Sequence, residues 1–482
     1  MAGVTGIGSG IDIDSIVASM VAAERAPKET QLATLEKKTT TQITAVGALK
    51  GAISDFQTAL GALNKPELFQ ARSATSSKSD LVGVTASTTA GAGSYQLEVK
   101  SLASSSKVAL AAIPNTAEAP ARFTSGTFEV SLGVPGIPPA PNTKEPFSVT
   151  IDENTNTLAG VRDAINAAGK DMGVSATIVT DEYGSRLVLS SSKTGAGRDI
   201  TVNAAGADEP GLIGLSALNF DGTSGTGKNA RVLTSAQSAE LYVDGLKVIS
   251  ETNKVDGAIE GVTLDLKAKT VANEPLTIAV AEDKAGVKKQ IQTFVDSYNK
   301  LIGVINAQTK VTSVGEDKAP VTGALVGDAT ARTLLNTIRN ELVNVQGDGA
   351  LRALTDIGIT TQKDGTLAID SAKLDKAMAS NFGELSGLFT GDKGLASRLD
   401  AKLKPYTETG GILEQRNKAM TETITKIDDQ KEALTRRITS LQERLYKQFN
   451  AMDLLVGQLS NTSSSLLASL ENLPWAASNS KK

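Results

Sequence analysis

The stretch LATLEKKTTTQITAVGALKGAISDFQTALGAL, residues 32–63, carries a seven-residue repeat without a skip. Leu32, Thr39, Val46, Ile53 and Leu60 occupy one seam position, and Leu35, Gln42, Leu49, Phe56 and Leu63 the other. Eight of these ten side chains are apolar, the pattern of a coiled-coil-type helix roughly 48 Å long. Gly47, Gly51 and Gly61 each cost about 1 kcal/mol relative to alanine, so the helix requires a partner. Pro66 ends it.

The same period returns near the other end of the chain. Ile424, Ile438, Leu445, Met452, Leu459 and Leu466 keep one phase, and Met420, Ile427, Leu434, Leu441 and Leu455 the other. Gly410–Gly411 marks the start of this helix and Leu473–Pro474 its stop, a span of roughly 90 Å. Lys431 and Gln448 interrupt the seam, as polar residues that fix register do. Two such helices fit an antiparallel pair, with Gln42 near Lys431. The pattern also allows each helix to pack only on its own globular domain. Ahead of the first heptad, residues 5–27 combine a glycine-rich start, Gly3 to Gly10, with a narrow stripe of Ile13, Ile16, Val17, Met20 and Val21. So short a stripe is marginal alone and reads as a segment that orders on a partner.

Between the helical ends the period changes to two. Leu81–Ala86 and Tyr95–Ser101 alternate apolar and polar residues, and Leu241–Val248 contains the hairpin turn Asp244–Gly245. Val262–Leu266 and Leu276–Val280 add strands. An insertion separates these β blocks and opens with seven of the chain's 14 prolines, from Pro114 to Pro146, which excludes helix there. Inside it, Leu158, Val161 and Ile165 predict a short helix closed by Gly169, followed by strands Val174–Thr180 and Arg186–Ser190. Residues 195–236 are rich in Gly, Ser, Thr and Asn and show no clear period. After Lys284 the chain is helical again: Val287, Ile291, Phe294, Val295, Tyr298, Leu301, Ile302 and Ile305 form one broad face. A second helix follows Asp328 with Leu334, Leu335, Ile338, Leu342 and Val343 inward. Asp364–Gly365 marks a small hairpin, and Asp370 caps a third helix.

Composition narrows the function. With 49 basic and 53 acidic side chains the net charge is -4, which disfavours nucleic-acid binding. The 482 residues include no histidine and no cysteine, which removes imidazole bases, thiolate nucleophiles, disulfides and the usual zinc ligands. Asp12 and Asp14 stand where a secretory signal would be apolar, and no window is long and apolar enough to span a membrane.

Two motifs come close to chemistry. Gly222–Asn229 has the glycine and lysine spacing of a phosphate loop, but Asn229 replaces the Ser or Thr that would hold magnesium, and no helical period follows. Asp152, Asn154 and Asn156 resemble half a calcium loop, but Thr157 and Asp163 stand at positions that need Gly and Glu, and Thr157 serves better as a helix cap. Carboxylate pairs such as Asp181–Glu182 and Asp428–Asp429 are read as solvated. No catalytic, cofactor-binding or metal-binding residue emerges, and no cofactor is expected.

The N-terminal GIGSGIDIDSIVASMVAAERAP closely resembles the start of bacterial flagellar filament cap proteins, the hook-associated protein 2 family. VKKQIQTFVDSYNKLIGVIN and LTDIGITTQKDGTLAIDSAKLDKAM are similar to that family's helical body, and LQERLYKQFNAMDLLVGQLSNTSSSL to its C-terminal arm. TLAGVRDAINAAGKDMGVSATIVTDEYGSRLVLSSS resembles the α-β-β motif inserted in flagellins and hook-associated proteins. The resemblance covers residues 4–66, 80–105, 157–194 and 239–475.

It implies a non-enzymatic assembly protein that caps the distal tip of the flagellar filament, retains exported flagellin and promotes its polymerisation. The implied partners are further copies of itself in a ring-like homo-oligomer, flagellin, other hook-associated proteins, and an export chaperone at the C-terminal arm. The implied location is extracellular, reached through the flagellar type III apparatus. The expected fold is α+β and multidomain: an N-terminal arm (1–70), a β domain (71–112 with 231–283), an inserted β-rich domain (113–230) containing the α-β-β motif (157–194), a helical body (284–405) and a C-terminal arm (406–482). Expected contacts with the filament are Ile13, Ile16, Val17 and Met20, with Met452, Leu455, Leu459, Leu466 and Leu467. The alternatives are a hook–filament junction protein, an adhesin binding mucin or glycans through the insertion, and a hydrolase.

Overall fold

A computed structural model of the chain describes residues 10, 12–133, 146–315, 319–344 and 349–471. The chain divides into two compact units, Met1–Pro66 with Ala285–Lys482, and Glu67–Lys284. Gly3, Gly6 and Gly8 of the glycine-rich start, the prolines between 134 and 145 and the expected helix stop at Leu473–Pro474 lie outside the described residues.

The chain opens with α1 (Ile13–Leu63) and α2 (Pro66–Gln70). Next come β1 (Arg72–Ser76), β2 (Val82–Ala86), β3 (Gly93–Ser101), β4 (Ser105–Ala109), β5 (Gly126–Leu132) and β6 (Phe147–Ile151). α3 (Leu158–Ala168) precedes β7 (Val174–Asp181), β8 (Gly184–Thr194), β9 (Ile200–Gly206) and β10 (Arg231–Thr234). The next strands are β11 (Ala239–Val243), β12 (Leu246–Ser250), β13 (Lys254–Ile259), β14 (Val262–Leu266) and β15 (Leu276–Glu282). α4 (Lys284–Thr309), the pair β16 (Val311–Thr312) and β17 (Val321–Thr322), and α5 (Ala329–Val343) follow. The pair β18 (Ile359–Thr361) and β19 (Leu367–Ile369), then α6 (Ser371–Ser380), α7 (Phe382–Phe389), α8 (Leu395–Thr407) and α9 (Ile412–Glu471), complete the order. The fold is α+β and multidomain, as expected.

In the helical unit, α1 runs without a break from Ile13 through the segment that the sequence set apart, and Pro27 lies inside it. Its N-cap Asp12 accepts a hydrogen bond from the Ser15 amide at 2.9 Å, satisfying a donor that the first turn leaves unpaired. From Ala45 to Leu63 the helix carries most of its buried residues. There Phe56 meets Phe294 and Tyr298 of α4 at ring separations of 5.6 and 5.8 Å, and Phe294 meets Phe389 of α7 at 6.2 Å. All eight residues of the broad face predicted on α4 are buried. Asp328 caps α5 through the Ala331 amide, and Asp370 caps α6 through the amides of Ala372 and Lys373. Val343 differs from expectation: as the last residue of α5 it points away from the buried line Leu334–Ile338–Leu342 and is exposed.

The β unit has two cores. The first lies between a five-stranded antiparallel sheet, β1-β15-β3-β11-β12, and a three-stranded sheet, β13-β14-β2. Its β11–β12 turn has φ of 49° at Asp244 and 82° at Gly245, the two positive values of a type I′ turn. The second core takes in the expected insertion together with β4 and β10, which the sequence bounds gave to the first β domain but which pair with each other and, through β4, with β8. Its sheets are β10-β4-β8-β7 and β6-β5-β9, with α3 packed against them. Leu158, Val161 and Ile165 are all buried there, and Thr157 caps α3 by accepting from the Gly160 amide at 3.0 Å. The stretch 195–236 supplies β9, a 3₁₀ turn at Leu215–Leu218, and β10.

Candidate partner interface

α1 and α9 are antiparallel neighbours. Lys50 pairs with Glu414 at 3.3 Å, Glu36 with Lys431, and Glu24 with Arg437, so rising numbers on one helix meet falling numbers on the other. The pairing closes where Ile13 and Val17 pack on Leu445, with Leu441, Tyr446 and Phe449 around them. A hydrogen bond from Tyr446 to the Asp14 carboxylate, together with burial and the carboxylate's charge, raises the phenol's pKa. The sequence pattern puts Gln42 near Lys431. The ammonium meets Glu36 instead, in the register that the flanking pairs Lys50–Glu414 and Glu24–Arg437 share.

Of the expected seam, Leu32, Val46, Leu49, Ile53, Phe56, Leu60 and Leu63 on α1 and Ile427, Ile438 and Leu445 on α9 are buried. Ile424, Leu434 and Leu441 are half-buried. Leu35 corrects the reading: it is 43% exposed. The same seam position is buried further along, at Leu49, Phe56 and Leu63, where α1 carries most of its buried residues.

The expected filament contacts divide into two groups. Ile13 and Val17 are buried against α9 and are not an open face, Ile16 is half-buried, and Met20 is exposed. Met452, Leu455, Leu459, Leu466 and Leu467 are exposed on the part of α9 that continues past Phe449. With Val456 and Leu470, which the heptad reading missed, they are 38–66% exposed. On a helical projection all seven fall within a stripe roughly 120° wide, the width of a face built to pack. A 3.6-residue projection would have found the two missed residues, whereas strict heptad positions do not. Asp453 and Glu471 are the only charged residues from 451 to 471.

The two near-motifs serve the fold. The Asp152 carboxylate accepts from the amides of Asn154 and Thr155 and from the Thr155 hydroxyl, a local turn leading into α3. Those bonds, the Thr155 hydroxyl first and then the Asn154 amide, hold its pKa below the usual carboxylate value against the opposing effect of burial. The Gly222–Asn229 loop leads into a strand, β10, and not into a helix.

Comparison with known proteins decides among the readings. B-type flagellar hook-associated protein 2 of Pseudomonas aeruginosa is 48% identical to this chain and aligns over 99% of both. The chain belongs to the flagellar hook-associated protein 2 family. The profile of the flagellar hook-associated protein 2 C-terminus matches residues 236–461, that of its N-terminus residues 9–106, and the flagellin hook IN motif residues 140–193. The hook-associated protein 2 of Salmonella typhimurium is 32% identical over 96% of each chain. Among solved structures, the D1-D2-D3 domains of the flagellar cap protein FliD from Escherichia coli align with a TM-score of 0.59 at 28% identity, over 78% of this chain and 99% of that one. Hook-associated protein 2 is the structural cap of the flagellar filament tip, and the comparisons give no support to the adhesin reading. The hook IN match takes in α3, β7 and most of β8, the α-β-β motif read from the sequence.

Proposed function

We infer that the protein caps the distal tip of the flagellar filament, retains exported flagellin there and promotes its polymerisation, without catalysis. The whole-chain match to hook-associated protein 2, which unites the N- and C-terminal profiles on one chain, carries this reading. The mechanism is geometric. The β unit covers the growing end, and the apolar stripe of Met452, Leu455, Leu459, Leu466 and Leu467 offers a temporary partner to apolar flagellin helices, with Ile16 and Met20 alongside. Burial of such a stripe supplies roughly 25 cal/mol per Å2, enough for reversible docking once the cost of association is met. The protein acts as a ring-like homo-oligomer and leaves the cell through the flagellar type III apparatus, with a chaperone holding the C-terminal arm beforehand. Other hook-associated proteins are its neighbours in assembly.

Electron microscopy of gold-labelled protein added to sheared filaments depleted of their cap tests this. Label at the distal end with renewed growth from added flagellin is the expected result. Label at the proximal end would assign a junction role instead, and label at neither end would defeat the proposal.

A further inference from the structure

Arg186 is the largest fully buried side chain among the described residues, with 1% of its surface exposed. It projects from β8 into the insertion, and the partner contacts assigned above make no use of it. Its Nε donates to Asp181 Oδ2 at 2.6 Å. Nη1 donates to the carbonyls of Leu110 at 3.1 Å, Asn229 at 2.8 Å and, at the long limit of 3.5 Å, Lys228, and Nη2 to the carbonyl of Gly227. Thus the glycine-rich loop that mimics a phosphate loop turns carbonyl acceptors inward, where a phosphate site would present amide donors.

The partners come from three places in the chain. Leu110 follows β4, the first strand of this domain, and Gly227 to Asn229 precede β10, its last, and the two strands pair with each other. Asp181 ends β7 and also lies 3.7 Å from Arg231. The two segments are tied directly as well, by the Ala112 amide donating to the Lys228 carbonyl at 2.8 Å. Steric demands on the loop agree with a single conformation. Gly227 has φ of +63°, and a Cβ at Gly225 would lie 2.5 Å from that of Asn229.

We propose that Leu110, Asp181, Gly227, Lys228 and Asn229 form a guanidinium-binding site, filled in cis by Arg186, that clasps together the first and last strands of the inserted domain. Its ligand class follows from the acceptors. One carboxylate and four carbonyls around the buried guanidinium accept a planar monocation with N–H donors in a fork, which an ammonium does not supply. Removing the cation leaves the Leu110 carbonyl buried without this donor and takes the shared tether from the half-buried Asp181 and the loop carbonyls, so the loop and the segment after β4 open while α3 and the sheets keep their own core.

The test is hydrogen exchange on the full-length chain carrying Arg186→Ala, whose missing side-chain atoms ethylguanidinium replaces. Exchange at residues 110–113 and 222–231 is expected to rise by about tenfold or more relative to α3. Addition of ethylguanidinium should restore protection, and ethylammonium at equal ionic strength should not. Arg186→Lys, which keeps charge and stem, guards against a failure of the alanine variant to fold, and it too should lose protection in these segments. Unchanged exchange in Arg186→Lys, or equal rescue by ethylammonium, would overturn the proposal.

Discussion

Glu36 on α1 and Lys431 on α9 stand 395 positions apart in sequence and form an ion pair across the helix pair. Both side chains are 36% exposed, so solvent screens their attraction. Reversing one charge, Glu36→Lys or Lys431→Glu, is expected to destabilise the helical unit by about 1 kcal/mol or less. The double exchange should recover most of that loss in a urea-unfolding cycle. A coupling energy indistinguishable from zero would remove this pair from the register-setting contacts.

Phe56 is fully buried and meets two aromatic rings of α4. Truncation to alanine leaves a cavity that rigid helices fill poorly, at a cost of about 3–5 kcal/mol. Urea denaturation followed by circular dichroism should show the loss in the helical unit. A change under about 1 kcal/mol would mean that α1 is not anchored through this cluster.

Leu459 and Val17 make opposite predictions. Leu459 is 66% exposed and Val17 is fully buried. Leu459→Asp should leave stability within about 0.5 kcal/mol of the parent and yet prevent attachment to filament tips. Val17→Asp places a charge against Leu445 and should destabilise the α1–α9 pair by several kcal/mol, read as lost helicity. Normal tip attachment by a folded Leu459→Asp protein would count against the role given to the apolar stripe.

Acid should act on the helical unit through Asp328. The Arg416 guanidinium, with the Ala331 amide and against the opposing effect of burial, holds this carboxyl below its usual value of 3.8. A carboxyl depressed on folding contributes stability above its unfolded value, and the contribution disappears as pH falls through the folded value. Urea midpoints should therefore be flat from about pH 7 to 5 and fall below about pH 4. Asp328→Asn should lower the midpoint at neutral pH and weaken its acid dependence; identical pH profiles for parent and variant would exclude the pair as a contributor.

The elements legible in the sequence were those whose burial follows one strong period. On α4 all eight predicted residues are buried, because a helix packed on one side shows its burial as a 3.6-residue face. The Asp244–Gly245 turn was legible because few residue pairs accept two positive φ values. β1, with the sequence RSATS, and β13, with KVDGAI, were not, since their places depend on pairing with β15 and β14 and not on their own side chains. In the candidate interface the period located α9 and most of its stripe. It could not tell that Val17 is covered and Leu459 is open, because that depends on where α1 stops along α9.

The antiparallel pairing of α1 with α9 also orders events on the ribosome. Glu24 must wait for Arg437, 413 residues later, before the N-terminal part of its helix has its partner. At typical rates of synthesis that delay is roughly 20–80 s, during which a glycine-bearing amphipathic helix gains little from its own sequence. Glu67–Lys284, one uninterrupted segment with its own cores, is complete before any residue of α9 is made. The two ends of the protein acquire their structure together, and last.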